Sequence, residues 1–203
     1  MLSFVTWASC ARRSLVLLAA ALLVGCANFY VDGNTKEVDA SLYKRRDPVH
    51  PVQVLFEFQT KGVANANATG LLKARVIEQI KASGLFSEVG EAPAAGGALL
   101  GITLNNVPLS DDAFSKGFVT GLTFGLAGSQ VSDGYVCTLR YTPAAGAAPI
   151  VRQARHAIHT TVGATAAPGN ATKADSIDAA VTTMARQVVS TALNDLTLDP
   201  NFK

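Results

Sequence analysis

The sequence predicts an α+β fold, a two-layer sandwich in which two amphipathic helices cover one face of a mostly antiparallel or mixed sheet. Apolar residues alternate with polar ones over residues 52–58, 98–107 and 134–142, as they do in strands that bury one face. Apolar residues recur at helical spacing over residues 72–80 and 177–192, which is typical of amphipathic helices. The chain order of strand, helix, strands and helix is that of a sheet with its helices on one side.

The first strand and the first helix occupy residues 52–84. The strand places one set of apolar side chains on its buried face: Val52, Val54, Phe56 and Phe58. Thr69 is predicted to cap the helix and Gly84 to end it, because glycine readily adopts the left-handed conformation of a helix terminus. The buried side of the helix is predicted to consist of Leu72, Val76, Ile77 and Ile80. Residues 85–89 follow as a short strand or its approach.

Three further strands and a second helix complete the predicted sheet. The strands over residues 98–107 and 134–142 bury two alternating sets: Ala98, Leu100, Ile102 and Leu104, then Tyr135, Cys137, Leu139 and Tyr141. Residues 150–162 are expected to return as an antiparallel partner across a short loop, forming a hairpin. Ser176 can cap the last helix. The apolar stripe of that helix is Ile177, Ala180, Val181, Met184, Val188 and Ala192.

The first 26 residues have the parts of a bacterial export signal. Arg12 and Arg13 are basic, and no acidic residue precedes Cys26. The apolar run over residues 14–24 is shorter than the ~20 residues needed to span a bilayer, so a cleaved signal is favoured over a transmembrane helix. The tetrapeptide Leu23-Val24-Gly25-Cys26 resembles the lipobox of bacterial lipoproteins. This resemblance implies cleavage between Gly25 and Cys26 and attachment of diacylglycerol to the Cys26 thiol.

The residue after the lipobox bears on the destination of the protein. In the Gram-negative lipoproteins that the motif resembles, Asp at this position retains the protein in the inner membrane. This chain has Ala27, which implies an outer-membrane protein whose domain faces the periplasm, with surface exposure left open. The expected membrane contact is therefore through the lipid on Cys26.

Removal of the signal changes the charge and the cysteine content. The whole chain has 17 Lys and Arg against 15 Asp and Glu, but Arg12 and Arg13 leave with the signal. The mature chain is then close to neutral, which argues against nucleic acid as a partner. Cys10 is also removed and Cys26 is lipidated, so Cys137 has no cysteine to pair with and no intramolecular disulfide is expected.

The predicted organisation has three parts. Residues 1–25 are the signal peptide, residues 26–51 are the lipidated cysteine and a flexible tether, and residues 52–203 form a single α+β periplasmic domain. The tether is predicted to contain one extended piece at residues 29–31 and a charged cluster at residues 44–47. A solvated linker is the simpler interpretation of this cluster, and contact with anionic lipid is the alternative.

A glycine-rich stretch at residues 113–131 is the least ordinary part of the chain. Glycines and large apolar residues both recur at every fourth position: Phe114, Gly117, Phe118, Gly121, Leu122 and Gly125. On a helix this spacing would set a glycine groove beside an aromatic ridge, which allows close approach of another helix. Two interpretations stay open: a crossover lying on the protein's own sheet, and a segment that contacts the membrane or a partner.

Catalytic and metal-binding patterns are weak throughout the sequence. His156 and His159 are three residues apart, so a strand would point them to opposite faces and they could not share a metal. Cys137 falls on a buried face, and Asp111 and Asp112 are typical of a turn. We therefore expect no catalytic residues, no metal and no cofactor. The leading hypothesis is a non-catalytic envelope protein with a protein partner, and the alternative is a periplasmic hydrolase or other enzyme.

The order of elements also carries a resemblance. The strand at residues 52–58, the helix ending in Ser83-Gly84-Leu85-Phe86, the strand pairs and the final helix are similar to small proteobacterial outer-membrane lipoproteins. More distantly, the pattern resembles the amino-terminal domain of the Tol-system beta-propeller protein. It also resembles lipoproteins that activate peptidoglycan synthases or form the curli secretion pore. These resemblances imply the same fold and a partner in envelope assembly.

Overall fold

The predicted two-layer α+β fold is confirmed by the computed structural model, which describes residues 27–109, 130–163, 166 and 169–202. Over these residues the chain forms one mixed sheet of eight strands and two α-helices. The strands are β1 (Ala27–Val31), β2 (Val52–Thr60), β3 (Val63–Ala64), β4 (Val89–Gly90), β5 (Leu99–Pro108), β6 (Gln130–Thr142), β7 (Ile150–Val162) and β8 (Thr172–Ala174). The helices are α1 (Ala66–Ala82) and α2 (Ile177–Thr197), and 3₁₀ turns lie at Ala40–Leu42 and Ala95–Gly97.

The strand order is β3-β2-β5-β6-β7-β1-β8, with β4 also pairing with β2. Strands β2 and β5, which flank α1, run parallel, whereas β5, β6 and β7 form an antiparallel meander. Strand β1 lies between β7 and β8 and is antiparallel to both. The first residues of β1 and β6 and the last residues of β7 therefore lie at the same end of the sheet.

The core fills the space between the sheet and the helices, and the predicted faces of the strands are confirmed. In β2, the four predicted residues from Val52 to Phe58 are buried, while Leu55 on the other face is 49% exposed. The helices contribute Leu72, Val76 and Ile80 from α1, and Ala180, Met184, Val188 and Ala192 from α2. Ile177 departs from the predicted stripe, since it is 48% exposed in the first turn of α2, before that helix reaches the core.

The start of α1 differs from the prediction, and its end agrees. Asn65 is the N-cap, because its side chain accepts a hydrogen bond of 3.0 Å from the Ala68 amide. Thr69 lies inside the helix, where its hydroxyl accepts a hydrogen bond from the Phe58 amide at 2.9 Å and thereby joins α1 to β2. Gly84 has a φ of +63° just after the helix, as expected of a residue that ends it.

The described part of the predicted tether, residues 27–51, packs on the domain. Strand β1 pairs with β7 at five positions, and Val31 and Tyr43 are buried in the core. Between them, the Val38 amide donates to Ser190 Oγ at 2.9 Å, which ties this segment to α2. The reason is physical: without β1, the long strand β7 would present an unpaired edge. We expected the domain to begin at residue 52, but β1 precedes that residue and belongs to the sheet.

Other differences concern strand lengths. Strand β6 begins at Gln130, before the predicted residue 134, because it pairs with β7 up to Thr161. The predicted strand at residues 85–89 is reduced to β4, although Leu85 and Phe86 are buried in the core. Leu85 and Phe86 thus contribute to the core without being part of the β4–β2 strand pairing.

A truncation tests whether residues 27–45 belong to the domain. A chain that starts at Arg46 should be less stable than one that starts at Ala27 by about 3 kcal/mol or more, because it loses β1 and the buried partner of His159. Urea unfolding of the two unlipidated chains measures this difference in free energy. Equal midpoints with equal slopes would contradict the inclusion of β1.

Candidate functional site

Three polar side chains from distant parts of the chain meet on the sheet face that points away from the helices. Asp32 directly follows β1, Ser132 lies in β6 and His159 lies opposite Ser132 in β7. His159 Nε2 is 3.1 Å from Asp32 Oδ2, and His159 Nδ1 is 2.8 Å from Ser132 Oγ. We call these three residues the polar relay.

The carboxylate of the polar relay is buried and ionised. Asp32 is 1% exposed and His159 is fully buried. Burial alone would raise the pKa of Asp32, but hydrogen bonds from His159 and from the Asn34 amide lower it overall. The Asn34 amide donates to Asp32 Oδ1 at 2.8 Å, so each carboxylate oxygen has a donor. Asp32 therefore fixes the orientation of the His159 ring.

The second buried histidine lies on the other side of β7. His156 Nδ1 accepts a hydrogen bond from the Ala157 amide at 2.8 Å, and its Nε2 is 2.7 Å from Gln187 Oε1 on α2. Nδ1 is also 3.2 Å from the Ala157 carbonyl oxygen, and the shorter contact with the amide assigns the proton of the neutral ring to Nε2. Burial lowers the pKa of His156, and this effect exceeds the opposing influence of Gln187 and Asp32.

The predicted opposite orientation of the two histidines is thus confirmed. Their ring nitrogens face different partners, Gln187 for His156 and the polar relay for His159. Over the part of the chain that the structure describes, no group of three or more His, Cys, Asp or Glu side chains could hold a metal. Cys137 is buried in the core as predicted, and burial raises the pKa of its thiol to about 12.

The polar relay contains the residue types of an acyl-transfer site in an unusual arrangement. Ser, His and Asp are the three groups of serine hydrolases, in which the serine contacts Nε2 and the carboxylate contacts Nδ1. Here the two ring nitrogens are exchanged, with Ser132 on Nδ1 and Asp32 on Nε2. Because Asp32 and His159 are almost completely buried, the arrangement agrees better with a network that ties β1, β6 and β7 together.

Sequence reasoning missed the polar relay because its members are far apart in the chain. His159 is 127 positions from Asp32, which fell in the predicted tether, and Ser132 preceded the predicted start of its strand. One signal was available in the sequence, namely the apolar pair Ala157-Ile158 between the two histidines. Two consecutive apolar residues agree with a strand that is covered on both faces, and residues 156–159 of β7 are all buried.

A polar cleft of about 680 Å³ lies beside the polar relay, between the β1–β8 edge and α2. Asp32 and Gln187, the partners of the two histidines, both line it. The other lining residues are Val31, Gly33, Thr35, Lys36, Asn170, Thr172, Lys173, Ala174, Asp175, Ala179 and Thr183. Backbone packing is tight here, since a Cβ on Gly33 would lie 1.9 Å from the Asn170 carbonyl oxygen.

The site residues predicted from the sequence lie outside the described residues. These are Gly25 and Cys26 of the lipobox and the glycine-aromatic set of Phe114, Gly117, Phe118, Gly121, Leu122 and Gly125. They stay predictions, as do the roles assigned to Asp111 and Asp112. Among the residues that the structure does describe, no helix is long and apolar enough to cross a membrane.

Comparison with solved structures finds matches at low identity and low TM-score. A PelC dodecamer from Paraburkholderia phytofirmans is 12% identical, with 84% of this chain and 96% of that chain covered and a TM-score of 0.36. A Xanthomonas campestris protein of the family DUF330 is 14% identical over 76% of this chain and 90% of that chain, with a TM-score of 0.32. A candidate lipoprotein from Caulobacter crescentus is 13% identical over 73% of this chain and 85% of that chain, with a TM-score of 0.28.

No protein-family model and no curated protein matches the chain. The structural alignments have low identities and TM-scores, and a shared function does not follow from them. The distant resemblance to the Tol-system protein and to peptidoglycan-synthase activators stays a prediction.

The neutral state of buried His156 predicts a pH dependence of stability. Its pKa is lower in the folded chain than the usual 6.5, so between these two values the unfolded chain binds the extra proton. Stability from this group is therefore present above pH 6.5 and is lost as the pH falls toward the folded pKa. The free energy of unfolding should fall by up to ~1.4 kcal/mol per pH unit in this window.

Urea unfolding of the chain from Ala27 at pH 8 to pH 5 measures this slope, with His156→Gln as the test variant. The variant should be less stable at pH 8 but should lose less stability on acidification. His50→Gln removes an exposed histidine and serves as the matched control, which should keep the original slope. If the free energy of unfolding fell with the same slope in the original chain and in His156→Gln, His156 would not be the source of the pH dependence.

Proposed function

We propose that this chain is a lipid-anchored, non-catalytic protein of the cell envelope, held in the outer membrane by Cys26, whose domain binds a protein partner in the periplasm. The observation that carries the proposal is the lipobox-like tetrapeptide Leu23-Val24-Gly25-Cys26, which ends a short basic and apolar segment of the export-signal type.

Cleavage before Cys26 is compatible with the paired strand that follows it. A mature chain that starts at Cys26 would retain Ala27–Val31, which pair with β7 from Ala27 opposite Val162. The several acyl chains of a lipoprotein would then anchor the domain stably, since each buried methylene contributes about 0.8 kcal/mol.

On the sheet face that carries the polar relay, the part away from those three residues offers a surface for a protein partner. Leu55, Gly101, Arg140 and Val151 form one row across β2, β5, β6 and β7. Leu55 and Val151 at the ends of this row are 49% and 41% exposed, and Arg140 between them is exposed. Both described helices pack on the opposite face of the sheet. Apolar side chains with an arginine among them are typical of protein interfaces.

Replacement of Cys26 tests the anchor. Cys26→Ser should abolish incorporation of a labelled fatty acid in a Gram-negative host and leave the protein unprocessed or in soluble fractions, because serine offers no thiol for diacylglycerol. Cys10→Ser is the matched control, since it removes the other signal-region cysteine and should keep full labelling. Labelling of the Cys26→Ser protein at the original level would rule out the assignment.

A hydrolase is the second candidate, and the polar relay is the observation that favours it. Ser132 is only partly buried and contacts His159, so a small electrophile could test its reactivity. We expect a fluorophosphonate probe to leave Ser132 unlabelled, because Asp32 and His159 serve to hold the strands together. Labelling that disappears in both Ser132→Ala and His159→Gln, with both variants still folded, would make the protein an enzyme.

A further inference from the structure

We propose that the projecting tip of β1, β6 and β7 lies against the membrane and that its exposed apolar side chains enter the lipid interface. The tip consists of Ala27, Phe29, Val131, Thr160 and Val162. The inference rests on the proposed lipidation of Cys26 and adds to it an orientation of the domain and a specific lipid-contacting surface.

The attachment point supplies the first argument. Ala27 pairs with Val162, and a single peptide unit joins Ala27 to Cys26. Consecutive Cα atoms are about 3.8 Å apart, so lipid on Cys26 would begin within a few ångströms of this end of the sheet. A long tether would let the domain take any orientation, but a connection of this length keeps the tip at the membrane surface.

The shape of the sheet supplies the second argument. Strand β5 pairs with β6 only up to Asp133, whereas β6 and β7 continue to Gln130 and Thr161. Strands β6 and β7, with β1 beside them, therefore project beyond their neighbour β5. The tip is formed by the ends of paired strands, which present side chains at fixed positions.

The side chains of the tip supply the third argument. Val131 in β6 lies opposite Thr160 in β7, and Val162 is two residues further along β7. All three are on the sheet face that elsewhere packs against the helices. The valines are nevertheless 62% and 45% exposed, which means that the helices do not cover this face at the tip. Phe29, in the same row as Thr160, is partly buried against the core beside them.

The tip and the opposite end of the sheet differ in their charged residues. Residues 27–31, 130–132 and 158–162 contain no Asp, Glu, Lys or Arg, so these strand ends bring no charge into lipid, whereas the charged residues Lys173 and Asp175 lie on the β8 side of β1. The basic cluster lies far away, because Arg45 donates to the Gly84 carbonyl and Arg46 to the Asp199 carbonyl, near the carboxyl ends of α1 and α2. Strand β7 alone separates the two ends by about 40 Å, well beyond a Debye length of ~8 Å.

Fluorescence quenching on the intact lipidated protein tests this orientation. Single cysteines at Val131 or Val162 are labelled with an environment-sensitive fluorophore, in a protein reconstituted into phosphatidylethanolamine–phosphatidylglycerol vesicles that contain an acyl-chain nitroxide. Cys137 is fully buried and is replaced by alanine to remove residual labelling. The matched control is a cysteine at Val151, which is exposed on the same strand about 36 Å away.

The expected result is at least threefold stronger quenching at positions 131 and 162 than at position 151. Equal quenching at all three positions, or stronger quenching at 151, would overturn the proposed orientation. The mass of the mature amino terminus is read on the same sample. A terminus without lipid would overturn the proposed anchor itself, whereas a lipidated terminus with an unquenched tip would overturn only the orientation.

Discussion

The pairing of β1 with β7, closed by Asp32 on His159, is the interaction on which the rest of the architecture depends. Strand β1 covers what would otherwise be the edge of β7, and it supplies the edge to which β8 attaches. The hydrogen bond between Asp32 and His159 joins the end of β1 to its neighbour β7. Removal of one partner from such a buried pair costs about 3–5 kcal/mol, because the other group is left uncompensated.

Burial and hydrogen bonding favour a structural interpretation of the polar relay over a catalytic one. A catalytic base must reach its substrate, and His159 has no exposed surface in the structure. Its two ring nitrogens are occupied by Ser132 and Asp32, an arrangement that satisfies a buried imidazole completely. The lowered pKa of Asp32 is explained by the hydrogen bonds that oppose its burial. Strand cohesion therefore accounts for each observation without a reaction.

The fold was largely predictable because alternation and helical spacing are local signals. The buried faces of β2 and β5 and the cap at Ser176 follow from residues within one element, and the hairpin of β6 and β7 follows from two strands that are adjacent in the chain. The misses share a different cause. Thr69 binds β2 in preference to capping α1. The extended piece predicted at residues 29–31 is part of β1, but its partner β7 is more than a hundred residues away, and Asp32 meets His159 only in the folded chain. Non-local contacts of this kind leave no periodic pattern in the sequence.

The position of β1 also determines how the sheet would respond to an anchor on Cys26. With lipid on Cys26, a pull from the membrane would act along β1, whose hydrogen bonds to β7 and β8 are perpendicular to that direction. All of these bonds are then loaded together, whereas a pull across an edge strand would break them one at a time. Asp32 lies at the far end of the strand, so its bond to His159 resists the same sliding motion. Burial of β1 between two strands, in place of a flexible tether, thus suits a domain that is held directly at a membrane.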